Sequence, residues 1–288
     1  MFLEDQIAAL PCWSAKIDVV PLEGGMTNRN YRVRCDGRQF VVRLGHDLPE
    51  HGVMRFNELA AARAAHAAGI SPEVVFAGDG VLVSRFIEGR TLSAQDLRAP
   101  RLLAPVVDLL RRCHHQLPLH LRGPVLTFWV FQVIRHYAGV LRDEPHNPLA
   151  DRLAALSALA LRLEQAVGPI QLVFGHNDLL AANFIDDGQR LWLIDWDYAG
   201  FNSPLFDLAN LASNNEFSRA QERELLTAYF EAAPEPACWR AYMAMKTASL
   251  LREALWGAVS QVKSRIDFDY ASYTRGYLAR LDAVSNDF

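Results

Sequence analysis

Cysteine is scarce in this 288-residue chain. Cys12, Cys35, Cys113 and Cys238 are scattered and form no C-x-x-C pair. Such spacing argues against a disulfide framework and a thiolate zinc site, and fits a reducing compartment. Long apolar runs are missing too: no uncharged stretch approaches the ~20 residues that a membrane span needs. The start, Met1-Phe2-Leu3-Glu4-Asp5-Gln6, is acidic and has no basic n-region, so no secretory signal is expected. The expectation is a cytoplasmic protein. Charge of one sign is not in excess; the net charge of -4 gives no electrostatic reason to expect a nucleic-acid partner. Internal repeats and low-complexity tracts are absent.

What the chain does have is apolar content. Hydrophobic residues make up 51% and charged residues 22%, enough for a sizeable core without cross-links. The first 86 residues read as sheet-rich. Segments 16–22, 30–34 and 39–44 have strand character and read as an antiparallel meander. Asp36-Gly37 is a strong hairpin signal between the second and third. A helix is expected over 49–69, with Gly69 just past its end. Two further strands, 74–77 and 81–86, flank Gly78-Asp79-Gly80. After a hinge at 87–90 the composition shifts to Leu and Ala in long periodic runs. Helices are expected over 99–116, 126–141, 148–167, 204–214, 219–232, 236–263 and 269–284.

The most telling stretch lies between the third and fourth of these helices. It reads His176-Asn177-Asp178-Leu179-Leu180-Ala181-Ala182-Asn183, then a hairpin turned at Asp186-Asp187-Gly188, then Ile194-Asp195-Trp196-Asp197. H-x-D-x-x-x-x-N followed by a hydrophobic strand ending in Asp has the spacing of a kinase catalytic loop and metal loop. Asp178 is the candidate base, able to orient and deprotonate a hydroxyl. Asn183 and Asp195 offer a neutral and an anionic oxygen to Mg²⁺, which takes few protein ligands beside phosphate. Each residue alone reads as a turn or strand-end residue; together at this spacing they favour chemistry. His176 is expected as a hydrogen-bonded scaffold, with a nucleophile or metal ligand as the alternative. Asp207 is expected either to cap its helix or to brace the catalytic loop. Trp196-Asp197 stands where protein kinases have Phe-Gly, and no A-P-E segment follows. Small molecules are therefore expected as acceptors, not proteins.

In the sheet-rich part, Gly24-Gly25-Met26-Thr27-Asn28 lies between two strands, where glycine amides can approach phosphates; a plain hairpin reads the same. Arg43 on the third strand carries charge and a planar fork for phosphate. Glu58 on the following helix is its expected partner, with Arg55 and Arg63 as competitors.

Together these residues resemble the choline/ethanolamine kinase family within the aminoglycoside-phosphotransferase-like superfamily. Gly24 to Tyr31 looks like that family's nucleotide loop, and Val42-Arg43-Leu44 has Arg where the family has Arg. Ile194-Asp195-Trp196-Asp197-Tyr198 is similar to its I-D-[FW]-E-Y, with Asp197 replacing the usual Glu. Leu251-Arg252-Glu253-Ala254-Leu255-Trp256-Gly257 and Ile266-Asp267-Phe268-Asp269-Tyr270 resemble its C-terminal signature. The likeness spans roughly 22–273. It implies an α+β bilobal protein-kinase-like fold, with a five-stranded antiparallel lobe with one helix at 1–86 and a mainly helical lobe at 91–288. It implies Mg-ATP as donor and a small amino alcohol as acceptor, with Gly24, Gly25, Thr27, Asn28, Arg43, Glu58, Phe86 and Ile87 on the nucleotide. It implies Asp178 as base, Asn183 and Asp195 on Mg²⁺, and an acceptor pocket drawn from Asp178, Asp197, Tyr198, Trp256 and Tyr273. A quaternary ammonium donates no ordinary hydrogen bond, so aromatic faces and carboxylates must hold it. Some family members have a second Trp where Val259 stands here, so a primary ammonium or another alcohol stays open. Trp256 reads equally well as plain core, beside the stripe Leu251, Leu255, Ala258 and Val262. Alternatives are the same chemistry on an aminoglycoside, thiamine or a sugar-type acceptor, or an inactive nucleotide or metabolite binder. A homodimer is left open.

Overall fold

The computed structural model describes residues 3–22 and 28–285. An N-terminal five-stranded antiparallel sheet has the order β1-β2-β3-β5-β4. Its strands are β1 Ile17–Leu22, β2 Arg29–Cys35, β3 Arg38–Leu44, β4 Val74–Gly78 and β5 Val81–Arg85. The expected meander forms, with Val33 opposite Phe40 and Cys35 opposite Arg38. The Asp-Gly turn has both residues at positive φ, 51° and 71°, as a two-residue hairpin turn requires. Alternate residues Tyr31, Val33, Phe40 and Val42 face a small core with Ile7, which comes from a short helix not expected from the sequence, α1 Leu3–Ala8.

The helix expected over 49–69 is split. Pro49–His51 is a 3-10 turn, and Gly52 follows in the left-handed region at φ 70°. Leu48 and Val53 then bridge, and the helix proper, α2, runs only over Arg55–Ala67. Glycine tolerates that φ cheaply, so it ends the first turn and lets the chain re-enter at a new angle.

The remainder is mainly helical, in the order α3 Ala94–Leu97, α4 Pro100–His115, α5 Val130–Arg142, α6 Leu153–Val167, α7 Pro204–Asn214, α8 Arg219–Phe230, α9 Pro236–Lys263 and α10 Tyr270–Val284. The expected spans 204–214 and 236–263 match α7 and α9 end to end. The span expected to begin at 126 begins at Val130, because Leu126 and Phe128 are drawn into backbone hydrogen bonds with Phe201. The α9 helix is the axis of this part. Nearly every side chain from Ala241 to Ser260 is buried, and α5, α6, α7 and α10 pack around it. An all-round buried helix has no polar face, so its few charged residues need special partners. Two small sheets frame the catalytic stretch: β7 Val173–Gly175 pairs with β10 Gly200–Asn202, and β6 Arg90–Thr91, β8 Phe184–Asp186 and β9 Leu191–Leu193 form a three-stranded sheet. No helix among the described residues is long and apolar enough to cross a membrane.

Candidate active site

The catalytic stretch leaves β7 and turns at once. Asn177 has φ 65°, a conformation that Asn tolerates better than most residues. Its amide nitrogen donates to the carbonyls of Gly175, Tyr198 and Gly200 at 3.2, 3.0 and 3.1 Å, and its oxygen accepts from Asn202 at 3.1 Å. One buried amide thus ties the base loop to the metal loop. Gly175 has no room for a side chain: a Cβ there would lie 2.9 Å from Asn177 Oδ1 and 3.1 Å from Asp207 Oδ2.

Asp207 lies under this loop. It accepts from the backbone N–H of His176 at 2.8 Å and of Asn177 at 2.7 Å, and from His114 Nε2 at 2.9 Å. Burial alone would raise its pKa. The hydrogen bonds and positive surroundings outweigh burial and hold it below the ordinary carboxylate value. Its helix is capped by Ser203, which accepts from Leu205 N–H. Of the two roles expected for Asp207, bracing the loop is the one the contacts support. Asn210 and Asn215 extend the brace by bonding the N–H and C=O of Leu179.

His176 is wholly buried. Its Nε2 donates to the Ile194 carbonyl at 3.0 Å, and its Nδ1 accepts from Asp178 N–H at 3.3 Å. Both ring nitrogens are therefore engaged, and burial lowers its pKa. That is the scaffold arrangement, linking the base loop to the strand that carries Asp195.

Asp178 itself is partly open, with 15% of its side chain exposed. Its nearest cation, Arg252 Nη1, stands 3.6 Å away. The surrounding protein pushes its pKa up to about 8, Arg252 opposes this, and Glu253, Asp195 and Asp197 add to it. Asn183 closes a 3-10 turn, Ala181–Asn183, and its Nδ2 donates to the Asp178 carbonyl at 2.8 Å. That bond turns its Oδ1 into the free oxygen. Asn183 C=O accepts from Ile194 N–H at 3.0 Å, which carries the chain directly to Asp195. Asp195 sits at φ 69° and is exposed. Crowding by the surrounding protein, and then the Asp197 carboxylate, raise its pKa to about 6. An amide oxygen and a carboxylate are the kinds of oxygen ligand that Mg²⁺ takes when it is shared with nucleotide phosphates, needing only one or two protein groups. No cluster of three or more His, Cys, Asp or Glu side chains able to hold a metal occurs among the described residues.

Arg43 pairs with Glu58, as expected, but the pair does not stand alone. Arg43 also reaches Asp197 at 2.6 Å, and Arg55 bonds both Glu58 at 2.9 Å and Asp197 at 2.7 Å. Asn28 closes the set, accepting from Arg55 at 2.8 Å and donating to Asp197 at 3.1 Å. Two cations and two anions thus alternate in a ring joining β3, α2 and the metal loop. Burial would raise the Asp197 pKa, but Arg43 and Arg55 outweigh it and keep it below the ordinary value. The expectation that Asp197 lends its charge to the acceptor pocket is corrected: Arg43 and Arg55 balance that charge within the ring. Asn57 reinforces the junction, donating to the Ala199 carbonyl and accepting from Leu126 N–H, both at 2.8 Å.

The other acceptor residues do come together. Trp256 Nε1 donates to Tyr198 O–H at 2.8 Å, the Trp256 and Tyr273 rings meet edge to face at 5.3 Å, and Tyr273 O–H donates to Glu253 at 2.8 Å. Trp256 and Tyr198 are buried and Tyr273 is half-buried. One face of Tyr198 carries the Arg252 guanidinium, 4.3 Å from the ring centre. After β5, Phe86 N–H bonds the Gln39 carbonyl at 3.1 Å, and Gln39 reaches Glu88 at 2.8 Å. Phe86 and Ile87 line a cavity of about 420 Å³ with Ser71, Glu73, Arg85 and Trp192, away from the catalytic loop. Gly24, Gly25 and Thr27 lie outside the described residues. The residues that sequence reasoning passed over are Asn177, Arg252 and Glu253, together with the contact of Arg55 to Asp197. A signal existed for two of them: Arg252 and Glu253 form a charged pair inside an otherwise apolar run of α9.

The five-stranded lobe, the mainly helical remainder and the pinned loop that carries Asp178 place the chain among the kinase-like phosphotransferases. The chain belongs to the phosphotransferase enzyme family, whose pattern matches residues 18–242. It is 31% identical to protein LicA of Haemophilus influenzae over 268 residues, 91% of this chain and 77% of that protein. It is 27% identical to probable choline kinase 3 of Arabidopsis thaliana, over 90% of this chain and 84% of that one. A solved structure of a choline/ethanolamine kinase family protein from Mesorhizobium loti matches with a TM-score of 0.78 and 29% identity, covering 98% of this chain and 95% of that one.

Proposed function

We propose that this protein is an ATP-dependent kinase that phosphorylates the hydroxyl of a small amino alcohol, of which choline and ethanolamine are the simplest. The observation that carries the reading is the setting of Asp178. It is a carboxylate to which no N–H donor is directed among the described residues, on a loop whose backbone is pinned from below, bonded through its own carbonyl to Asn183. A group so placed is free to accept a proton. The relatives named as choline or ethanolamine kinases supply the acceptor class.

In this reading Asp178 orients the acceptor hydroxyl and takes its proton as the oxygen attacks the γ-phosphorus. The bond from that phosphorus to the bridging oxygen breaks, and ADP leaves with the electron pair. Arg43 holds phosphate, and Phe86 and Ile87 border the base of the nucleotide. Asn183 and Asp195 hold Mg²⁺, which supplies neutralisation of charge on the phosphate oxygens. Four free cysteines fit work in a reducing cell interior.

The test is ADP release from Mg-ATP with a panel of choline, ethanolamine, thiamine and an aminoglycoside. Turnover of an amino alcohol well above the others is expected. Inert choline and ethanolamine beside an active thiamine or aminoglycoside would replace this acceptor class with another.

A further inference from the structure

Arg252 is among the largest wholly buried side chains of the molecule, 1% exposed. Its guanidinium lies over the Tyr198 ring at 4.3 Å and the Phe128 ring at 5.7 Å. Nη1 pairs with Glu253 and stands 3.6 Å from Asp178. Nε and Nη2 have no hydrogen-bond partner among the described residues. Arginine stays charged at any working pH. A permanent cation therefore already covers one aromatic face expected to receive the acceptor's ammonium. Trp256 is hemmed by Tyr270 and Tyr273 at 5.8 and 5.3 Å, and Val259 adds no further ring.

We propose that Arg252 and Glu253 set the acceptor preference, so that the ammonium is held through its N–H groups by the Glu253 and Asp178 carboxylates and a primary ammonium is preferred to a trimethylated one. This rests on the amino-alcohol reading above. A quaternary ammonium must find open aromatic faces, since it has no N–H to give. Arg252 fills the face of Tyr198 and repels a second cation brought against it. A primary ammonium instead needs acceptors. Glu253 has one oxygen on Arg252 and the other on Tyr273 O–H, and a carboxylate offers about four lone-pair sites, so capacity remains. Both carboxyl groups share the one guanidinium of Arg252, so an ammonium placed beside them meets oxygen acceptors on either side.

The test measures kcat/KM for ethanolamine, its N-methyl and N,N-dimethyl derivatives, and choline on the full chain with Mg-ATP. A fall at each methylation, reaching at least about tenfold at choline, is expected. A flat or rising series overturns the proposal. Arg252→Met opens the Tyr198 face and should narrow or invert the ratio, whereas Arg252→Lys should keep it; a wild-type ratio in Arg252→Met removes Arg252 as the determinant. Should Arg252→Met fail to fold, Glu253→Gln carries the same question: it should depress ethanolamine more than choline, and equal losses overturn the proposal. If none of the four alcohols turns over while another alcohol does, the amino-alcohol reading itself has failed.

Discussion

Asp178 stands on a loop that Asp207 braces, and the two carboxyl groups end in opposite electrostatic states. Asp207 receives two backbone N–H groups and His114, and its pKa falls. Asp178 receives no such donor, faces an arginine only at 3.6 Å, and its pKa rises to about 8. Burial penalises both charges equally in kind, so the difference lies in directed donors. The lower carboxylate is satisfied and gives the loop its shape. The upper one is left unsatisfied and is therefore available to a proton. A frame that consumes its own hydrogen-bonding capacity holds a group that does not.

The sharpest way to break this contrast is to replace each carboxylate by its amide. Asp178→Asn should lower kcat by about 10³-fold and change the KM for ATP little, and it should raise thermal stability only above about pH 8, where the parent carboxyl carries a poorly solvated charge. In the parent enzyme kcat/KM for the acceptor should climb as pH rises toward 8, because a base with that pKa works only once deprotonated. An activity equal to wild type would strip Asp178 of its role.

Asp207→Asn should do the reverse in stability. Its neutral amide cannot serve three donors that now meet an anion, and the loss should be about 3–5 kcal/mol, read from a denaturant midpoint. A variant as stable as wild type would show that the loop does not depend on its brace.

Smaller effects are expected where the two parts of the chain meet. Asp197→Asn leaves Arg43 and Arg55 under-compensated and should raise the KM for ATP about tenfold, with a smaller change in kcat. An unchanged KM in initial-rate measurements would mean that the ring does not position the phosphate arginine.

The mildest expectation concerns His51, which is buried between Tyr137 and Ser260. Burial, then Arg252, lowers its pKa to about 3. Below the ordinary histidine value the unfolded chain takes up a proton that the folded site refuses. Its stabilising share is thus complete above about pH 6.5 and shrinks as pH falls toward 3, by about 1.4 kcal/mol per pH unit. His51→Gln should flatten the acid limb of a melting-temperature profile, and an unaltered limb would assign it to other groups.

Much of the site was legible because it is local. The spacing from Asp178 through Asn183 to Asp195 is set by a loop, a 3-10 turn and a short hairpin, all of which follow from nearby residues. The same holds for Arg43 and Glu58, one strand and one helix apart. The helix break at Gly52 was missed because an alanine-rich run hides a single glycine; helix propensity sums over a window, whereas a left-handed residue acts at one position.

The residues whose partners come from far along the chain were misjudged. Asp197 was expected as a pocket acid from the family resemblance, yet Arg43 and Arg55 reach it from 154 and 142 positions away. Arg252 and Glu253 stood within a run that resembles the family's C-terminal signature, with no role of their own assigned. The sequence alone determined the kind of chemistry and the two-part architecture, because these depend on residue type and short-range spacing. Tertiary structure decided which carboxylate is consumed by arginines, which is braced and which is left open. A charge in a low-dielectric interior answers to whatever packs within a few ångströms of it, and distance along the chain does not set that.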